Sequence, residues 1–350
     1  MKKASHRFFE ANPEECIQAL GKSRLIEQLK KMLLIRQFEI RAEAAYLQGK
    51  IGGFFHSYMG QEAVQTAAVA AMGQDQWWAT SYRCHALALL LGATPYELMA
   101  ELFGKKTGNA TGRGGSMHFF TNRLLGGFGI VGGQIPIATG AAFTVKYLKQ
   151  NKIPSVGKQP EVSTCFFGDG AVAQGAFHES LNLAALWDLP CIYVIENNQW
   201  GMGTHVDRAI SVDQIAEKKA PSFGMEAYTL DGMDFLNCYA GFKHIYQKVV
   251  ETSRPCLVEV VTERFRGHSI SDPGLYRSKD ELQGCMQRDP LMLMLKTLTQ
   301  HQMVKEEEYV EWEKEMKEIA VAALKYAEES PWPDLSELEE DVLTDGGICR

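Results

Sequence analysis

An acid and an amide sit along this chain at a spacing that can build a cation site. Gly168-Asp169-Gly170 is followed, with 26 residues between, by Asn197-Asn198. Each cluster closes a short run of β-formers: Ser163 to Phe167 reads STCFF, and Cys191 to Ile195 reads CIYVI. Near-continuous apolar runs of this kind mark parallel strands buried on both faces. Ligands in open α/β sheets bind beyond the carboxyl ends of such strands, where Asp169 and Asn198 both fall. One carboxylate and one amide oxygen suit magnesium, a hard cation that usually bridges to phosphate. The neutral amide adds no second negative charge to repel a diphosphate. Either cluster alone reads as a turn or loop; the pair, each behind a buried strand, reads as a site.

The elements that must position these residues are a strand, a helix and a second strand. Phe177, Leu181, Ala184 and Ala185 recur at helical spacing, and Leu189-Pro190 is the predicted helix stop. Parallel strands joined this way take a right-handed crossover. The pattern is similar to the thiamine diphosphate signature, in which GDG is followed at comparable spacing by NN. That resemblance implies that Asp169, Asn198 and the main-chain carbonyl of Trp200 bind Mg2+, with Gly170 and Ala171 along the diphosphate. Ala173 stands where that family often has a polar residue, so one polar contact near the diphosphate is in doubt.

Four further segments place polar residues beside glycine turns. Gly53 to Ala63 carries His56, and Thr80 to His85 offers the Tyr82 phenol beside the Arg83 guanidinium, groups suited to phosphate oxygens. Gly112 to His118 is a basic, glycine-rich turn, and Arg264 to Gly274 is a polar loop around His268. In this order the segments resemble the alpha subunit of the heterotetrameric 2-oxo acid dehydrogenase first component, from about Arg36 to Arg288. Gly114 to His118 (GGSMH), Tyr82 to His85, Gly129 to Pro136 and Gly267 to Arg277 match the pyruvate branch of that family. The acetoin-cleaving branch is closer to these motifs than the branched-chain one.

The resemblance implies oxidative decarboxylation of pyruvate, with acetyl transfer to the lipoyl group of a dihydrolipoamide acetyltransferase. It assigns Tyr82 and Arg83 to the cofactor phosphates, and Gly129 and Val131 to the pyrimidine side. It makes Met202, flanked by Gly201 and Gly203, the wedge that bends the cofactor. His56 and His268 line the reaction centre as catalytic residues, with His268 also steadying the cofactor. The family's activating glutamate belongs to a second α/β domain. The chain after Arg264 reads as loop and helix, so the resemblance implies a separate beta subunit and an α2β2 heterotetramer. Ser269 matches a regulatory serine of animal enzymes. Arg266 departs from the usual pattern. A non-catalytic nucleotide-binding subunit is the reading from a different class.

The whole chain fits this picture. The expected fold is a single α/β domain of thiamine diphosphate-binding type, a mostly parallel sheet flanked by helices with helical additions at both ends. The expected divisions are 1–50 for an N-terminal helical arm, 51–290 for the α/β domain and 291–350 for C-terminal helices and tail. A net charge of −7 across 350 residues, with no basic cluster, argues against a nucleic-acid partner. The eight cysteines show no metal spacing. No apolar run suits a membrane span or a signal peptide, which points to a cytoplasmic, bacterial-like chain.

Helical spacing of Leu25, Leu29, Met32 and Leu33 predicts a helix over Lys22 to Gln48, stopped by Gly49. Tyr309, Trp312, Met316, Ile319, Ala323 and Tyr326 predict an amphipathic helix near the C-terminus, ended at Ser330-Pro331, with a loosely held tail to Arg350. Gly127, Gly129 and Gly132 spell GxGxxG. No strand is evident before them and no ribose-binding acid lies about twenty residues on, so the stretch reads as backbone approaching a flat ring rather than as a dinucleotide fingerprint.

Overall fold

The computed structural model describes residues 6–154 and 157–339. Helix α1 (Pro13–Leu47) is two helical segments joined at a kink, the second beginning after Gly21, where the apolar spacing predicts a helix from Lys22. Asn12 caps it by accepting the Glu14 and Glu15 N–H groups, and Pro13 supplies a preset φ at its first position. Gly21, at φ 71° and ψ 163°, is non-helical and separates the two segments. There follow α2 (Glu62–Met72), β1 (Trp77–Ser81), α3 (His85–Leu90), α4 (Pro95–Leu102), β2 (Leu124–Phe128), α5 (Gln134–Gln150), β3 (Ser163–Gly168), α6 (Gly175–Leu186) and β4 (Cys191–Asn197). The second half holds β5 (Trp200–Gly201), β6 (Thr204–His205), α7 (Val206–Ala209), α8 (Ile215–Lys219), β7 (Glu226–Asp231), α9 (Phe235–Thr252), β8 (Cys256–Val261), α10 (Lys279–Met286), α11 (Pro290–Gln300) and α12 (Glu306–Glu329).

Six strands pair in parallel in the order β2-β1-β3-β4-β8-β7. The predicted pair β3 and β4 are direct neighbours. Their side chains alternate between two apolar layers: Phe166, Ile192 and Val194 face α1, α2 and α9, whereas Cys165, Phe167, Tyr193 and Ile195 face α5, α6 and α8. Coverage on both faces explains why these strands read as unbroken apolar runs. The β7 edge is not bare, since the Phe9 N–H donates to the Thr229 carbonyl at 2.7 Å.

Two expectations are corrected. Helix α6 ends at Leu186, ahead of Leu189-Pro190, and Asp188 turns the chain at φ 46°. A strand does precede the GxGxxG stretch: β2 runs through Gly126 and Gly127. Glycine lowers strand propensity, which hid it, but contacts demand it. A side chain at Gly127 would collide with the Met117 carbonyl and the Cys84 thiol, and Gly126 sits at φ 125°.

At the C-terminal end, α12 lies on α1 and α4 through buried Met316, Ala320, Ala323 and Ala327. Small residues bring the helices close. These helices share one apolar layer with α2, α9 and one sheet face. The predicted loose tail from 340 onward lies outside the described residues. Among the described residues no helix is long and apolar enough to cross a membrane.

Candidate active site

In the register of β3 and β4, Gly168 lies opposite Glu196. From there β3 enters a tight 3-10 turn, Asp169–Ala173, and β4 runs on into Asn198. Asp169 and Asn198 consequently face one cavity of about 320 Å³. The main-chain N–H groups of Asp169 and Asn198 lie close enough to the Asp169 carboxylate to favour its charge. Burial lifts its pKa to about 6, opposed by those N–H groups and by the nearby Arg264 charge.

The two asparagines have different jobs. Asn197 is spent on structure: its Nδ2 donates to Glu259 at 2.7 Å and its Oδ1 accepts the Gln199 N–H at 3.1 Å. Asn198 lines the cavity, its Nδ2 donating to Gln61 Oε1 at 3.1 Å and its Oδ1 accepting the Trp200 N–H at 3.4 Å.

Tyr82, Arg83, Val131, Gly170, Ala171, Trp200, Met202 and His268 line the same cavity. Of the residues picked from the sequence, His56 and Gly129 stand outside its lining. Gly129 follows Phe128, which does line it. His56 is one layer back, its ring centroid 4.4 Å from Tyr82 and 5.0 Å from His268. Its Nδ1 is buried and meets no hydrogen-bond partner among the described residues. Burial, then the Arg83 charge, drives its pKa down to about 2. The same two causes bring His268 to about 4, so both rings are neutral at pH 7.

Two arginines organise the His268 loop. Arg83 donates to the carbonyls of Ser57 at 2.8 Å and His268 at 2.6 Å, so its fork works as a clamp as well as a charge. Arg264 was quoted in the sequence only as the start of a loop, yet it is buried and lines the cavity. Its Nη2 donates to the Met202 carbonyl and to the Tyr276 hydroxyl, both at 2.7 Å, and its Nη1 lies 3.3 Å from His268 Nδ1. Burial and Arg83 lower its pKa to about 10, which leaves it cationic. No periodicity distinguishes a buried cation in a polar loop, so sequence reasoning passed it over. Gln61, inside another quoted segment, was missed for the same reason.

Met202 sits at φ 54° with 65 % of its surface exposed. The flanking glycines are required on one side at least: a Cβ on Gly203 would press within 3.1 Å of the Tyr276 ring. Across the cavity, a Cβ on Gly170 would come 3.5 Å from the Gly201 Cα.

The donor set fits a magnesium diphosphate. Asp169, the Asn198 amide and the Trp200 main chain meet at one wall, all oxygen donors as a hard cation prefers. Among the described residues no cluster of three or more His, Cys, Asp or Glu could hold a metal; this sparse set leaves coordination sites for phosphate oxygens. Arg83, Arg264 and Tyr82 supply positive charge and donors, and Phe128, Val131 and Met202 supply apolar wall for flat rings. Gln134, also in the lining, keeps a buried Oε1 without a partner, a polar atom available to a ligand.

The family model for the dehydrogenase E1 component matches residues 30–336. The chain belongs to that family. The E1 family depends on thiamine diphosphate. A pyruvate dehydrogenase E1 component subunit alpha from Rickettsia felis is 45 % identical over 323 residues, covering 92 % of this chain and 96 % of the relative. The protein of the same description from Porphyra purpurea is 40 % identical over 335 residues, covering 93 % and 94 %. That from Rhizobium meliloti is 40 % identical over 321 residues, covering 91 % and 89 %. Within this E1 chain, Ser269 is buried, with its Oγ 2.9 Å from Ser271 Oγ, so the serine picked as a regulatory match does not present its hydroxyl to solvent.

Proposed function

We propose that this chain is the alpha subunit of a pyruvate dehydrogenase that works with thiamine diphosphate and Mg2+, decarboxylates pyruvate and acetylates the lipoyl group of a dihydrolipoamide acetyltransferase. The observation that carries the reading is the convergence of Asp169, Asn198, Met202 and His268 on one cavity. Three E1 alpha relatives named for pyruvate, at 40–45 % identity across nearly the whole chain, support pyruvate as substrate.

In this reading Asp169, Asn198 Oδ1 and the Trp200 carbonyl hold the cation, and Tyr82, Arg83 and Arg264 face the diphosphate. Gly170 and Ala171 give the backbone close approach to it. The main chain of Gly129 and Val131 would border the pyrimidine side, and the Met202 side chain would support the cofactor's rings. The bound cofactor supplies the electron sink for decarboxylation. The neutral His268 ring, held by Arg264 and by the Arg83 clamp on its carbonyl, is placed to accept or donate a hydrogen bond at the reacting end. His56 backs Tyr82 and His268, so it acts on their position, or takes a proton once the loop moves.

A beta subunit completes the site in an α2β2 assembly. Exposed apolar side chains support this: Met202 in the cavity lining, Ile130 and Leu275 next in sequence to Val131 and Tyr276, and Phe143, Tyr147, Leu186 and Trp187 on α5, on α6 and just after it. Large apolar groups gathered on one surface mark a protein contact.

The test is to co-express the chain with an E1 beta subunit and to measure lipoyl reduction with pyruvate, acetoin and branched-chain 2-oxo acids. Pyruvate should give the highest kcat/KM. Preference for acetoin would move the chain to the sister branch. Magnesium-dependent cofactor binding without turnover on any of the three would favour a regulatory role.

A further inference from the structure

The amide of Asn198 has two faces of equal size, and only its oxygen can ligate a cation. Something must decide which end points at the metal. Two contacts do so. The Trp200 N–H lies 3.4 Å from one end and can only donate, so that end is Oδ1. The other end is therefore Nδ2, and it lies 3.1 Å from Gln61, which meets it with Oε1 and leaves its own Nε2 buried without a partner among the described residues. Reversing Asn198 would set its NH2 against a main-chain N–H. We infer that Gln61 is a positioning residue for the metal site, fixing the Asn198 amide so that its oxygen is presented to the cation. The inference rests on the cofactor reading above and adds to it a residue that touches neither cofactor nor substrate.

The support behind Gln61 is rigid. Its side chain is fully buried and it stands at the N-cap of α2, yet it makes no side-chain capping bond to its own helix. That leaves its Oε1 for Asn198. Gly60, at φ 99°, turns the chain just before it, and a side chain there would strike the Glu263 carbonyl and the Phe265 ring. Glu62, just after it, is buried and paired to Arg36 at 2.5 Å, and Arg36 also reaches Asp289 at 2.8 Å. A closely packed glycine turn on one side and a buried ion pair on the other thus flank Gln61 beside the end of β4. Outer contacts of this kind orient ligands and change metal affinity by about 10- to 100-fold when lost.

The experiment uses the assembled enzyme, with Mg2+ titrated at saturating thiamine diphosphate and binding read by calorimetry and by tryptophan fluorescence. Gln61→Met keeps length and packing but removes the acceptor. It should raise the Mg2+ concentration for half-saturation by about 10- to 100-fold. Gln61→Glu keeps an oxygen toward Asn198 and should hold that concentration within about threefold of the parent, or lower it. In an Asn198→Ala background, Gln61→Met should add almost nothing, because both changes remove one arrangement. The unfolding midpoint without cofactor checks the fold of each variant. An unchanged Mg2+ dependence in Gln61→Met overturns the inference, as do equal losses in the Met and Glu variants or full additivity with Asn198→Ala. Failure of the parent enzyme to bind thiamine diphosphate with Mg2+ would instead overturn the function proposed above, and this inference with it.

Discussion

Arg264 Nη2 donates to the main-chain oxygen of Met202 at 2.7 Å, joining the start of the His268 loop to the residue proposed to bend the cofactor. The same guanidinium reaches Tyr276 and His268. One buried cation therefore ties Met202 and the loop together, and changes at Arg264 should disturb both.

Arg264→Met would leave the Met202 carbonyl and the Tyr276 hydroxyl without their charged donor. Charge-assisted bonds of this type contribute about 1.5–3 kcal/mol each. The concentration of thiamine diphosphate for half-saturation should rise by roughly 10- to 100-fold, measured by calorimetry on the assembled enzyme. Arg264→Lys should recover only part of this, because one ammonium cannot reproduce the planar fork.

Met202 separates stability from function. Its φ of 54° costs a residue with a Cβ about 1–2 kcal/mol, and its side chain is exposed. Met202→Gly should leave the unfolding midpoint unchanged or slightly higher. Turnover should fall, by on the order of 100-fold if the bent cofactor is lost. A large drop in stability with normal turnover would show Met202 to be packing alone.

Folding should show the cost of neutral histidines. The folded pKa values of His56 and His268, about 2 and about 4, lie below the ordinary value of 6.5. The unfolded chain therefore binds these protons first, and stability falls as pH drops from about 6.5 toward 4. His56→Asn should remove up to about 1.4 kcal/mol per pH unit from that slope. Chemical denaturation of the cofactor-free protein between pH 7 and 4.5 checks it. An unchanged slope would mean that His56 is not held neutral.

Glu101 should prove a structural keystone of the basic glycine turn. Its buried carboxylate accepts four main-chain N–H groups, from Ala110, Gly112, Gly114 and Gly115. Glu101→Gln would turn an NH2 toward two of these donors, at a cost of about 2–4 kcal/mol. Denaturation midpoints should drop accordingly, and trypsin should cut faster at Arg113.

Most of the proposed metal wall was legible because it depends on chain order and strand ends. Buried strands announce themselves by composition, and parallel sheets put ligands at one edge, so Asp169 and Asn198 could be placed together before any fold was in view. The strand at Leu124–Phe128 was not legible, since its two glycines answer to Met117, Cys84 and a positive φ rather than to strand propensity. Arg264, Gln61 and Glu101 escaped for a related reason. Each matters through partners far along the chain or through main-chain groups, which leave no periodic trace. The helix from Lys22 was legible from its apolar spacing; the short segment before it, capped by Asn12 and cut off by non-helical Gly21, was not.

The central claim is that Asp169 and Asn198 hold a cation that grips a diphosphate. Calorimetry of the assembled enzyme with thiamine diphosphate, with Mg2+ and with a chelator, tests it most directly, alongside Asp169→Asn. Because burial makes the ionised Asp169 costly to the fold, the Asn variant should unfold no earlier than the parent at pH 7.5. Binding should need Mg2+ in the parent and weaken by at least about 100-fold in the variant. Equal binding with and without Mg2+, or undiminished binding by Asp169→Asn, would contradict the account.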